Sequence, residues 1–395
     1  MTGKLKPSTV AVHAGRKPFE HFGAVNPPVY HVSTILYPDV ETMEERGTKP
    51  FEGMTYGRFG TPTSFALEEA VCALEGGHRS IAVPSGLAAL TLVLESFLKH
   101  GDHVLVSDSI YQPTRRYCDG HLKQNGVETT YYDPLIGSGI AELIRPNTKL
   151  VFVEAPGSLT FEIQDIPAIA EAAHKKGALV AMDNTWATPL FFKPFEKGVD
   201  LSVQAATKYI VGHADAMMGL VTCANSDLWQ TVKAHAAAHG LGVGAEEAYL
   251  ALRGLRTLPV RLERHQETAI LLATWLKRRP EVLRVLHPAL QDDPGHKLWR
   301  RDFTGSCGLF AFVLKDAGKP QVDAFLNALE LFGLGYSWGG FESLAIPADP
   351  GIKRTVTPWN PGGPTIRLHA GLEDADDLIA DLDQALGRIL SSCQG

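Results

Sequence analysis

Apolar positions are spread unevenly along this chain. Up to about residue 60 they follow neither a period of two nor one of 3.6, and Pro, Gly and polar residues interrupt them throughout. Such a stretch predicts an irregular arm that drapes over something else, often a second subunit. From residue 65 the texture changes to short apolar runs alternating with amphipathic segments. The pattern predicts a helix over Ala66–Leu74, a strand over Ser80–Val83 and a helix over Gly86–Lys99. Strands follow at His103–Ser107, Thr129–Tyr132, Leu150–Glu154 and Ala178–Asp183, with a helix at Ile166–Lys176 between the last two. Leu201–Ala205 and Gly219–Cys223 complete a set of seven strands. Continuous apolar strands separated by helices indicate a mostly parallel sheet covered on both faces. Near Gly254–Pro259 the pattern shifts again. A long helix over Val260–Arg278 leads to strands at Leu309–Leu314 and Thr365–His369 and helices at Gln321–Leu331 and Asp374–Leu390. The expected architecture is α/β: an arm over 1–60, a large domain over 61–256 with a mostly parallel seven-stranded sheet, and a smaller C-terminal α+β domain over 257–395.

With 395 residues and 45% hydrophobic content, the chain can bury a sizeable core divided among two or three domains. A net charge of −7 gives no support to nucleic-acid binding, which usually shows a basic balance. The first thirty residues carry Arg16, Lys17 and Glu20 but no apolar core, so no secretory signal is visible there. The most apolar region, Ile81–Leu98, is broken by Pro84, Ser85, Gly86 and Glu95 and reads as strand, turn and helix rather than a membrane span. Five cysteines (72, 118, 223, 307 and 393) show no CxxC spacing. That argues against a zinc ribbon and against a disulfide scaffold. The expectation is a soluble, reduced, cytoplasmic protein that holds no metal and binds neither nucleic acid nor membrane.

In a parallel α/β sheet, ligands collect at the carboxyl ends of the strands. After Val83 comes Ser85-Gly86-Leu87-Ala88, a small-residue turn opening a helix. Its bare N–H groups and positive helix end suit a phosphate, although a plain helix start explains it equally well. Tyr111 follows the next strand. Asp183, before Asn184 and Thr185, could cap the turn, ligate a metal or pair with a buried cation. Past another strand comes Ala206-Thr207-Lys208-Tyr209, where partial desolvation would lower the lysine's pKa and favour the neutral nucleophile. Each residue alone has a bland explanation. Together, an anion cradle, an aromatic, a carboxylate and a lysine at neighbouring strand ends match pyridoxal phosphate. Rival sites fare worse. His235 and His239 share a helical face but have no third ligand in view, and Gly240, Gly242 and Gly244 follow a helix-like run rather than the strand that a dinucleotide loop requires. His213 and Asp215 read as supports of the lysine loop.

Longer motifs sharpen this. They are YGRFGTPT from Tyr56, PSGLAA from Pro84, DNTWATP from Asp183, SVQAATKYIVGHAD from Ser202, YSWGGFESL from Tyr336 and TIRLHAGLED from Thr365. On these residues nearly the whole chain resembles the Cys/Met-metabolism group of fold-type-I pyridoxal-phosphate enzymes, and within it the β-lyase branch that acts on cystathionine. The resemblance implies that Lys208 carries the cofactor as a Schiff base and that Asp183 holds the pyridine nitrogen. It places the N–H groups of Gly86 and Leu87 and the Thr207 hydroxyl on the phosphate, and stacks Tyr111 on the ring. Tyr56 and Arg58 would reach the phosphate of a neighbouring subunit, making a dimer the smallest catalytic unit within an expected tetramer. Arg367 would pair with the substrate α-carboxylate, its planar fork bonding both oxygens. Tyr336, Ser337 and Trp338 would border the substrate.

The implied reaction is α,β-elimination of L-cystathionine and other S-substituted cysteines in methionine biosynthesis, with Lys208 moving the α-proton and Tyr111 assisting. The alternative is γ-elimination or replacement by a γ-acting relative. Those often carry SLGG where this chain has Ser337-Trp338-Gly339-Gly340, and an acidic or small residue where Tyr336 stands. The bulky aromatic favours the β-reaction. A cofactor-binding regulator without turnover is the reading from another class; every core cofactor residue being present argues against it. Two departures from the wider family stand out. Ala205 replaces a frequent Ser, removing a phosphate hydroxyl, and Ser158 stands where an Asn would bond the cofactor's phenolic oxygen. The Gly157-Ser158-Leu159-Thr160 form fits the β-lyase branch.

Overall fold

A computed structural model describes residues 5–391; Cys393 lies outside them. The larger sheet is built from β1 (Arg79–Val83), β2 (His103–Ser107), β3 (Glu128–Tyr132), β4 (Thr148–Glu154), β5 (Leu179–Asp183), β6 (Leu201–Gln204) and β7 (Gly219–Cys223). Their order is β1-β7-β6-β5-β4-β2-β3. Strands β2 to β6 pair in parallel, and β7 runs antiparallel to both β1 and β6. Side chains alternate across the sheet: Leu105, Val151 and Val180 pack with the helices Pro62–Glu75 and Ile166–Lys175 on one face. Val104, Phe152 and Val203 pack with Gly86–Phe97 and Ser226–Ala238 on the other. Since both faces are covered, the alternation leaves no trace in hydropathy and the strands read as unbroken apolar runs.

The smaller sheet contains β8 (Val282–Leu286), β9 (Leu309–Leu314), β10 (Gly333–Leu334), β11 (Leu344–Pro347) and β12 (Thr365–His369), in the order β10-β11-β12-β9-β8. Its pairs are antiparallel apart from β10 with β11. Helices Lys319–Ala328 and Ala375–Ser391 bury Val322, Phe325, Leu378 and Leu382 against it. The patterning predicted β9 and β12 at their observed bounds and missed the other three, which are short or half exposed.

One helix, Ala245–Leu276, runs from the large sheet to the small one straight through Gly254–Pro259. The change of texture there is therefore not a break. At Gly254 a Cβ would lie 2.3 Å from the carbonyl oxygens of Ile210 and Val211, so the glycine permits a close approach of two backbones rather than ending a helix.

The arm is partly docked on its own chain. Helix Pro7–His13 packs on Pro62–Glu75 and Ala245–Leu276, and Arg256 Nη1 donates to Ala11 O (2.7 Å) and Ala14 O (2.8 Å). Beyond it Phe19, Phe22 and Leu36 are left exposed.

The excursion between β11 and β12 crosses back to the large sheet. Asp108, buried just past β2, accepts from Thr355 N (2.9 Å), Val356 N (2.9 Å) and Thr355 Oγ1 (2.9 Å), and pairs with the buried Arg115. Nearby, Arg354 pairs with Glu162. Among the described residues no helix is long and apolar enough to cross a membrane.

Candidate active site

Asp183 ends β5 and is buried. Its Oδ1 accepts from Thr185 N (3.0 Å) and Thr185 Oγ1 (2.6 Å), while Oδ2 has no protein donor among the described residues. Thr185 Oγ1 in turn accepts from Ala205 N (2.8 Å), tying the end of β5 to the turn after β6. Burial raises the Asp183 pKa; the Thr185 bonds and the Lys208 charge oppose that rise.

Lys208 lies on that turn, its N–H bonded to Ala205 O at 3.0 Å. Its Nζ donates to Ser337 Oγ at 2.9 Å, on the opposite wall. Burial and the Arg367 cation push its pKa down to about 8, against the pull of Asp183. About one molecule in ten then carries the neutral amine at pH 7, against fewer than about one in a thousand for an ordinary lysine.

The helix Gly86–Phe97 begins at Ser85, whose Oγ accepts from Ala88 N at 3.1 Å. The N–H groups of Gly86 and Leu87 find no acceptor among the described residues, which leaves them for an anion. A Cβ at Gly86 would lie 2.5 Å from Ala205 Cβ, so only glycine lets the two turns meet. Thr207 Oγ1 donates to Met218 O (3.2 Å) and accepts from Met218 N (2.9 Å). Its proton must leave Met218 before it can serve a phosphate.

Tyr111 precedes the helix Gln112–Tyr117, and its N–H donates to Glu154 Oε2 at 2.7 Å. Burial, then the charges of Asp183 and Glu154, raise its hydroxyl pKa, with Arg367 and Arg116 opposing. Glu154 ends β4 directly beside Asp183 in the parallel register. Burial and that neighbour lift its carboxyl well above the ordinary range, against the Tyr111 N–H bond. Sequence reasoning passed over Glu154, although it ends a strand as Asp183 does.

Arg367, from β12, faces them. Its Nη2 donates to Tyr336 O (2.8 Å) and Ser337 O (3.0 Å), leaving Nη1 and Nε without acceptors among the described residues. Burial lowers its pKa to about 10, with Tyr111, Tyr209 and Tyr336 opposing, so it remains a cation at neutral pH. Trp338 places its ring centroid 5.5 Å from Lys208 Nζ, and Tyr336 is 81% exposed on the outer side of the same loop. A cleft of about 720 Å³ opens beside Thr207, Met217, Val243, Ser337 and Trp338, room enough for a cofactor with an amino acid on it.

Lys208, Asp183, Tyr111, Arg367, Ser337 and Trp338 thus converge, with the Gly86–Leu87 turn reaching them through Ala205. Tyr56 and Arg58 do not join them by any described contact. Tyr56 packs on Phe59 at 6.3 Å, and Arg58 bonds Ala237 O at 2.7 Å within its own chain. Ser158 is fixed by its N–H on Ser109 O at 2.8 Å, and its hydroxyl has no partner among the described residues. His213 Nδ1 contacts Val211 O at 2.7 Å and braces the lysine loop. Among the described residues no group of three His, Cys, Asp or Glu could hold a metal, which covers His235 and His239.

The residues present fit a phosphorylated pyridine aldehyde: open N–H groups for the phosphate, a carboxylate oxygen without a donor for the ring nitrogen, and an amine of depressed pKa for the aldehyde. The comparisons agree. The sequence profile described as Cys/Met metabolism PLP-dependent enzyme matches residues 8–387. Cystathionine beta-lyase MetC of Escherichia coli is 44% identical, covering 98% of this chain and 99% of its own. An L-alanine/L-glutamate racemase of Wolbachia pipientis is 39% identical, covering 98% of each chain. Among solved structures, metB from Corynebacterium glutamicum superposes with a TM-score of 0.89 at 33% identity, covering 97% of this chain and 98% of that one.

Proposed function

Since the chain belongs to the Cys/Met-metabolism family of PLP-dependent enzymes and has its fold-type-I architecture, we propose that it catalyses α,β-elimination of L-cystathionine and related S-substituted cysteines. With one water consumed, cystathionine gives homocysteine, pyruvate and ammonia. The observation that carries the reading is the Lys208 amine, depressed to about 8 and aimed across the cleft at Ser337, between Asp183 and Arg367.

When bound, pyridoxal phosphate supplies an electron sink for the pair left behind when the α-proton departs. Lys208 is the group that takes that proton, as a neutral amine poised near the working pH. Asp183 would hold the protonated ring nitrogen of the bound cofactor through its unengaged Oδ2. The free Nη1 and Nε of Arg367 fix the α-carboxylate and so orient the Cα–H bond toward Lys208. Tyr111 would stack on the bound ring, and either its hydroxyl or the protonated Lys208 would deliver a proton to the departing sulfur. Trp338 lines the cleft with aromatic surface, whereas Tyr336 stands exposed on the outer side of the same loop. An identity to the E. coli β-lyase (44%) above that to a cystathionine gamma-lyase of Bacillus subtilis (35%) supports β-elimination over γ-chemistry. Pyruvate without 2-oxobutyrate from L-cystathionine is the expected product pattern; 2-oxobutyrate would overturn it.

The active unit is a dimer, pairing into a tetramer, in which Tyr56 and Arg58 of one protomer complete the phosphate site of its partner. The exposed Phe19, Phe22 and Leu36 on the arm support this. Mixing an inactive Lys208→Ala chain with an inactive Arg58→Ala chain should restore activity through one intact site per dimer; no recovery would count against shared sites. The divisions 1–60, 61–256 and 257–395 then correspond to arm, cofactor domain and substrate-side domain, in a protein of the cytoplasm.

A further inference from the structure

Two residues beyond Arg367 on the same face of β12, a second side chain grips the loop that carries Ser337 and Trp338. His369 is fully buried. Its Nε2 accepts from Gly339 N at 3.0 Å, and its Nδ1 lies 3.0 Å from Glu342 O. The partners fix the protonation state. A backbone N–H can only donate and a carbonyl can only accept, so Nε2 must present a lone pair and Nδ1 must carry the proton. Burial and the cations Arg367 and Lys208 act in the same direction, holding the ring neutral well below the usual histidine range, as does His265. The neighbouring His265 donates its own Nδ1 proton to Ala370 O at 2.8 Å and leaves the His369 bonds undisturbed.

Gly339 is where the loop touches the lysine turn. Its φ is +84°, and a Cβ there would lie 2.8 Å from both Lys208 C and Tyr209 N. The peptide that donates to His369 therefore rests directly on the backbone of Lys208, with Trp338 and Ser337 the next residues back along the chain. Arg367 holds the first half of the loop by its carbonyls, and His369 holds the second half.

We propose that His369 is a positioning residue that sets where Ser337 and Trp338 stand relative to Lys208, and through them how a thioether substrate is held. This rests on the function proposed above. A shift of about 1 Å at a positioning element is enough to cost a large factor in turnover efficiency.

The test compares His369→Leu, His369→Asn and His369→Gln with the wild-type enzyme. Gln can return an acceptor to Gly339, whereas Asn is too short and Leu has none. Amide hydrogen exchange, read by mass spectrometry on peptides spanning 336–342, should quicken about tenfold or more in the Leu variant and return toward wild type in the Gln variant. The KM for L-cystathionine should rise about tenfold in His369→Leu with kcat within about threefold, and Gln should recover most of it. If Leu yields no folded protein, Asn serves in its place. Unchanged exchange over 336–342, or a wild-type KM in the folded variant, would overturn the inference. A wild-type enzyme that makes no pyruvate from cystathionine would sink the proposed function instead, and the exchange arm would still decide this point.

Discussion

On the large-sheet wall of the cleft, Glu154 and Asp183 end two adjacent parallel strands, where ladder hydrogen bonds set their Cα positions, and Lys208 follows a third on a turn closed by its N–H on Ala205 O. On the small-sheet wall only Arg367 and His369 belong to a strand. Tyr336, Ser337 and Trp338 ride a loop whose outer residue is 81% exposed and whose inner face is pinned by five side-chain bonds from that strand. The first wall is rigid by secondary structure, the second by side chains. Chemistry common to many reactions belongs on the former, where geometry cannot drift. Selection of one substrate over another belongs on the latter, where a few residues change the shape without disturbing the sheet.

The sharpest way to break this division is on the rigid wall. Lys208→Ala should fold normally, lose the visible absorption of an amine-bound aldehyde cofactor and lower turnover by about 10⁴-fold; retained absorption would refute the assignment. Asp183→Asn should keep that absorption and lower kcat by about 10²-fold or more with little change in KM, measured by steady-state kinetics. On the pinned wall the expected effect is smaller and of another kind. Arg367→Lys keeps the charge but loses the fork, so kcat/KM should fall about 10–100-fold, consistent with about 1.5–3 kcal/mol for a bond to a charged group.

A pH series sharpens the comparison by reading Lys208 directly. With a pKa near 8, its neutral fraction rises from about one tenth at pH 7 to about nine tenths at pH 9. Cofactor capture by the cofactor-free protein, followed by stopped-flow absorbance, should therefore quicken about tenfold and then level off. A lysine at its ordinary value would give about a hundredfold rise with no plateau by pH 9. The smallest effect is expected from Ala205→Ser, which adds one hydroxyl beside Gly86 and should tighten cofactor binding about threefold to tenfold in equilibrium titration.

Much of the rigid wall was legible in the sequence, for a physical reason. Continuous apolar runs locate buried parallel strands, and parallel strands deliver their terminal residues to one edge. Asp183, Lys208 and the Gly86 turn can therefore be assembled from the sequence. Glu154 was missed because a carboxylate at a strand end shows its raised pKa only once its register with Asp183 is known. The pinned wall was legible only through the family resemblance, which named Arg367, Ser337 and Trp338. Strand β11 (Leu344–Pro347) is four residues long, too short to announce itself, and the bonds from His369 span up to thirty residues of sequence. The helix start read at Val260 failed for a related reason, since that helix begins at Ala245. A glycine placed for close backbone approach looks, in one dimension, like a helix end.

Asp108 carries a consequence for how the protein can move. A carboxylate sunk among backbone and hydroxyl donors of Thr355 and Val356 and a buried guanidinium acts as a rivet between the two layers. Substrates cannot be admitted by swinging the smaller layer outward without shearing it. The vessel stays rigid and traffic is left to its lip, so product escape should be paced by the stretch around Tyr336, not by a gate between halves.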